Sequence, residues 1–246
     1  LVKAHDFEGA AAALWAAAGL EPAPSGRQVK AALGRAREAA FALVPGLLSL
    51  NCHENVTEGL RTGLSMLADD VGNGNGEGDI PAHIRVMGAA AVFTAALVRS
   101  EEKKSPVAPD AGAGHAKDFL RMLRDEPASA AEVEALNAYM VTVADHGMNA
   151  STFTARVIAS TRAGTISAVV GALCALKGPL HGGAPGPVLD MLDEIGTAAN
   201  IEPWLTREIA GGARLMGFGH RVYKNYDPRA PVMQQTRRDV LAARHD

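Results

Sequence analysis

STRAGTISAVVGALCALKG, residues 160–178, decides the fold class. Ile166, Val169, Val170, Leu173 and Leu176 recur at helical spacing, with Ala, Gly and Ser on the faces between them. Small residues let neighbouring backbones approach closely, so the segment reads as a buried helix crossed by others, within the chain or across a subunit interface. Gly178-Pro179 stops it. Just beyond, in KGPLHGG (177–183), His181 falls in the turn after a rigid rod. An imidazole gains little from apolar surroundings unless a ring nitrogen has a partner, so this position asks for a chemical reason.

The rest of the chain has the same character. Ala, Leu, Glu, Arg and Met dominate, aromatic residues make up 4%, and no run of β-branched residues alternates with period two, so an all-α protein is expected. FEGAAAALWAAA (7–18) and residues 25–43 read as helices, the second capped by Ser25. Ser129 and Glu132 form a capping box. After it, Leu136, Tyr139, Met140 and Val143 define one apolar face, on a helix that delivers His146 to its own end. Residues 72–79 and 100–116 read as loops, and no internal repeat is present.

At 246 residues and 48% hydrophobic content, the chain can bury a substantial core. A net charge of −3 with a pI near 6.3 argues against nucleic acid as a partner. Cys52 and Cys174 lie far apart, suggest neither a disulfide framework nor a metal pair, and read as buried thiols in a reducing compartment. No apolar run suggests a membrane span and no basic-then-apolar leader opens the sequence, so a cytoplasmic protein is expected. The sequence begins at Leu1 and stops at Asp246 within a helical pattern, so a piece of a longer protein is expected.

GFGHRVYKNYDPR (217–229) is the second chemically dense stretch. His220 follows a Gly-Phe-Gly turn, and Arg221, Lys224 and Arg229 come within nine residues of it. Gly217 and Gly219 permit close ligand approach, while Pro228 restricts Asp227 and so fixes the path into Arg229, whose planar fork suits a carboxylate. The composition suits a small polyanion, although Asp227 and Arg229 could equally form a structural pair. His146, His181 and His220 lack zinc-ligand spacing, and neither a dinucleotide nor a P-loop fingerprint occurs. No metal is expected. His5, His53, His83, His115 and His245 read as ordinary hydrogen-bonding residues.

Taken together, DHGMNASTFTARVIAST (145–161), LKGPLHGGAPGPVLDML (176–192) and MGFGHRVYKNYDPRAPVM (216–233) resemble, in order and spacing, three signature blocks of the citrate synthase family. Weaker similarity runs through FEGAAAALW, GLRTGLSML (59–67) and KDFLRMLRDEP (117–127). The resemblance implies a multi-helical fold with a large domain, here residues 1–182, and an incomplete small one, residues 183–246, working as a homodimer. It implies condensation of acetyl-CoA with oxaloacetate to give citrate and CoA, acetyl-CoA being a substrate and no cofactor being needed.

By the same resemblance His181 donates a hydrogen bond to the thioester oxygen as the enolate forms, and His220 polarises the oxaloacetate ketone. His146 and Arg229 hold the substrate carboxylates. The loop 211–219, with Gly217 and Gly219, receives the adenine end of CoA, and Lys224 and, more weakly, Arg214 meet its phosphates. Two departures stand out. The family's general-base aspartate, in an Asn-Val-Asp-Phe type motif, has no counterpart before Asp246, and GGAPGPV replaces the more usual Gly-Gly-Ala-Asn-Glu. Use of propionyl-CoA to make 2-methylcitrate, or a non-catalytic binding fragment, are the alternatives.

Overall fold

The computed structural model describes residues 2, 4–50, 55–69, 80–145, 147–179, 181–182, 185–213, 215, 217–218 and 225–243. His146, His220, Arg214, Gly219, Lys224, Cys52 and the whole of the 72–79 loop lie outside the described residues. Those that are described form helices α1 (Phe7–Ala17), α2 (Gly26–Phe41), α3 (Val44–Ser49), α4 (Val56–Ser65), α5 (Ala82–Glu101), α6 (His115–Arg124) and α7 (Ala130–Val143). These are followed by α8 (Ala150–Ser160), α9 (Thr165–Leu176), α10 (Pro185–Ile195), a 3-10 turn (Ala198–Asn200), α11 (Ile201–Ala210) and α12 (Ala230–Ala242). No strand occurs among the described residues, as an all-α fold requires.

Local chemistry sets the helix starts. Ser25 accepts the Gln28 N–H while the Gln28 side chain accepts the Ser25 N–H, and Ser129 and Glu132 repeat the arrangement at α7. Helix α5 is the axis of the core. Its Ala89, Val92, Phe93, Ala96 and Leu97 pack with Leu47 of α3, Leu64 of α4, Met122 of α6 and Ile166 of α9. By length and hydropathy α5 could cross a membrane, but two thirds of it is buried inside the protein, which accounts for its apolar character. A second cluster joins α1 and α2 through Ala11, Ala12, Val29, Leu33 and Ala36, with Ile84 of α5.

Four readings need correction. Tyr139 is 53% exposed, and α7 buries Ala138 and Val141 instead, because α1, α6 and α12 all pack on this helix. Helix α9 is only half enclosed: Val169, Val170 and Leu173 lie against the core and α8 covers another side, but Leu176 is exposed. Cys174, on the same helix, is an exposed free thiol. The loop after α5 is shorter than 100–116, since α5 runs to Glu101 and α6 begins at His115.

That loop is held by buried charge. Arg37 and Asp118, both without solvent exposure, are paired at 2.7 Å, and Arg37 also donates to the carbonyls of Asp110 and Ala113. His115 stacks on Phe7 and lies 3.3 Å from the guanidinium. Burial, then the Arg37 charge, pushes its imidazole down to about 4, so it is neutral near pH 7.

Candidate active site

The site is built where the start of α8 meets the end of α9. Asn149 caps α8 by accepting the Thr152 N–H at 2.9 Å, which leaves the Ser151 N–H, one residue earlier in the first turn, for another acceptor. Helix α9 runs antiparallel to α8 after a short turn. Beyond its last residue the chain folds back, the His181 N–H donating to Gly178 and the Gly182 N–H to Leu176, each at 2.9 Å. A Cβ on Gly182 would lie 2.3 Å from the Leu176 carbonyl oxygen, so only glycine allows so tight a corner.

That corner presents the half-buried His181 to α8. Its Nε2 lies 3.3 Å from the Ser151 nitrogen and 2.5 Å from Ser151 Oγ. A backbone N–H only donates, so Nε2 must be the acceptor and the ring proton of the neutral imidazole sits on Nδ1. Among the described residues, Nδ1 makes no hydrogen bond. The result is a neutral imidazole with a fixed tautomer and one N–H left to donate.

Helix α9 is anchored from both ends by carboxylates of another segment. At its start, where Gly164 has no side chain to cap with, Asp69 accepts the N–H groups of Ile166 (2.6 Å) and Ser167 (2.9 Å) and the Ser167 hydroxyl (2.6 Å). Burial opposes the Asp69 charge, but the hydrogen bonds from Ser167 and Ile166, with Arg85 nearby, outweigh it and hold the carboxyl below its usual range. At its end, Lys177 pairs with Glu58 of α4, which also takes Arg61.

Arg229 stands at the start of α12, its N–H and Nε 2.9 Å from Asp227 Oδ1 and its Nη2 2.7 Å from Oδ2. The fork expected to hold a substrate carboxylate thus engages Asp227, the structural pairing also anticipated from the sequence. Gly217 has a φ of +81°, a backbone that favours glycine. Among the described residues no three His, Cys, Asp or Glu side chains gather to hold a metal ion.

Ser151, Asp69 and Glu58 escaped the sequence reading. Asn149 followed by Ser and Thr does mark a helix start, but the partners lie 30, 97 and 119 residues away in the chain, and local pattern carries no such distances.

An all-helical frame that fixes a neutral imidazole at a helix end defines a site suited to polarising a carbonyl. The whole chain, residues 1–246, matches the family described as citrate synthase, C-terminal domain. It is 40% identical over 186 residues to a 2-methylcitrate synthase of Mycobacterium tuberculosis, covering 75% of this chain and 47% of that one. A citrate synthase structure from Thermotoga maritima superposes with a TM-score of 0.78 at 31% identity, covering 97% of this chain and 63% of that one. A Thermoplasma acidophilum citrate synthase in a ternary complex with carboxymethyl coenzyme A and oxaloacetate superposes with a TM-score of 0.76 at 27% identity, covering 93% of this chain and 60% of that one. The chain belongs to the citrate synthase family. It spans about half the length of the curated relatives it matches.

Proposed function

We propose that the protein is a citrate synthase, condensing acetyl-CoA with oxaloacetate to give citrate and CoA. The observation that carries this reading is the Ser151 N–H on His181 Nε2, which leaves Nδ1–H as the donor. A carboxylate base removes a methyl proton from acetyl-CoA, the thioester oxygen gains negative charge, and His181 donates to it without giving up its proton. The enolate carbon then attacks the oxaloacetate ketone, polarised by His220, and water hydrolyses the citryl thioester. His146 and Arg229 hold the oxaloacetate carboxylates. For Arg229 this requires a substrate carboxylate to share the guanidinium with Asp227. Gly217 and Gly219 admit CoA, and Lys224 and Arg214 meet its phosphates. We assign the proton-abstracting carboxylate to no residue of this chain.

The second reading, a 2-methylcitrate synthase using propionyl-CoA, is favoured by the name of the Mycobacterium tuberculosis relative. Thiol release by the intact protein with oxaloacetate and each acyl-CoA in turn separates the two. We expect kcat/KM for acetyl-CoA to exceed that for propionyl-CoA by about tenfold, the cost of one extra methylene in a fitted pocket. The reverse order would establish the second reading, and release of thiol from neither would remove both.

The protein works in the cytoplasm as a homodimer, its domains, residues 1–182 and 183–246, closing over the substrates. An exposed free thiol at Cys174 suits a reducing compartment. Helix α8 supports the dimer: it packs on α9, none of its residues is fully buried, and Phe153 and Val157, one turn apart, are 62% and 50% exposed beside Met148. A second copy of the same face would cover them. Sedimentation should show a dimer, and Phe153→Asp should shift it to the monomer. A monomeric parent would remove the dimer, and a variant that still dimerises would place the interface elsewhere.

A further inference from the structure

Helix α9 is 12 residues long, about 18 Å, and His181 is carried at its far end by its own N–H on the Gly178 carbonyl and by the Gly182 N–H on that of Leu176. Because α8 and α9 form an antiparallel hairpin, the gap between Ser151 and His181 depends on how the two helices sit along one another. A slide of one helix by a single residue would move the imidazole by about 1.5 Å and break the contact that fixes its tautomer. Packing between α8 and α9 sets this register locally: Ile158 is seated in the notch left by Gly171, where a Cβ would lie 2.1 Å from its Cδ1. That contact lies mid-helix and does not by itself hold the far end of α9, where His181 is carried.

Directional bonds hold the two ends of α9 itself. Asp69 takes three hydrogen bonds in the first turn of α9, next to the hairpin connection, and Gly164 is what admits it. At φ +105° its backbone favours glycine, and a Cβ there would lie 2.3 Å from Asp69 Cγ. Glu58 holds Lys177, the residue at which α9 gives way to the corner that carries His181. The Asp69 anion matches the positive start of α9, and at the negative end it is Lys177 that suits the dipole, Glu58 serving to hold that lysine.

Taking His181 as the donor described under the proposed function, we propose that Asp69 and Glu58 are positioning residues for it: they fix both ends of α9 so that the imidazole stays in register with the Ser151 N–H. The test uses the intact protein carrying Asp69→Asn or Glu58→Gln, assayed well below its melting temperature, with histidine ring 15N spectra recorded alongside. Turnover should fall about tenfold with KM for oxaloacetate nearly unchanged, since a misplaced donor costs rate while the carboxylate-binding groups lie on other segments. The His181 spectrum should move from a single Nδ1–H tautomer to a mixture. A lower melting temperature with kcat and the tautomer both unchanged would overturn the proposal and leave the two residues a purely structural role. If Asp69→Asn fails to fold, Glu58→Gln, at a partly exposed site, carries the same test alone. If His181→Ala leaves turnover intact, the donor role itself has failed, and the tautomer shift then decides positioning by itself.

Discussion

His181→Ala in the intact protein is expected to lower kcat for citrate formation about 10²–10³-fold, the usual cost of removing one donor aimed at a developing oxyanion. In the proposed condensation negative charge develops on the thioester oxygen as the enolate forms, and a fixed neutral N–H is aimed to meet it. KM for oxaloacetate should change little, because the lost bond forms mainly as charge appears on the other substrate. Ser151→Ala is the informative companion. It removes Oγ but keeps the backbone N–H that makes Nε2 an acceptor, so its loss should be well short of that for His181→Ala. Steady-state thiol release measures both. Turnover within threefold of the parent for His181→Ala would remove this residue from the mechanism.

The sequence carried the fold far better than the site. Apolar spacing, the Ser25 cap and the Ser129–Glu132 capping box located α1, α2 and the start of α7 within a residue or two, because those signals act over one turn and survive whatever the helix packs on. Exposure was harder to read. The Leu136, Tyr139, Met140 and Val143 pattern on α7 looked like one buried face, but α1, α6 and α12 approach from several sides and leave Tyr139 exposed. Cys174 misled for a related reason: a thiol in an apolar helix is usually enclosed, and one side of α9 is not. His181 was conspicuous from its glycine and proline surroundings alone. The contact that gives it a tautomer was not, since Ser151 meets it only once two helices are folded against each other.

The same limit hid a fully buried ion pair, Arg37 with Asp118. Asp118→Ala is expected to cost about 3–5 kcal/mol, because it strands a fully buried guanidinium without its counter-charge. Asp118 serves several groups at once: one oxygen takes Arg37 Nε at 2.7 Å, the other Arg121 at 2.7 Å, and the Asp110 N–H reaches both. Arg37 in turn ties down the Asp110 and Ala113 carbonyls, so the segment between α5 and α6 is fastened over α2 through this pair. Removing the carboxylate therefore releases a loop as well as a charge. Coulomb attraction alone does not make such a pair stabilising, since both ions were taken out of water to form it. The double variant Arg37→Met with Asp118→Leu should accordingly recover a good part of the loss, and urea titration of parent, single and double variants closes the cycle. If Asp118→Ala instead lowers stability by less than about 1 kcal/mol, the figure for an exposed pair, water must reach Arg37 once the carboxylate is gone, and the loop is held by its backbone contacts rather than by charge.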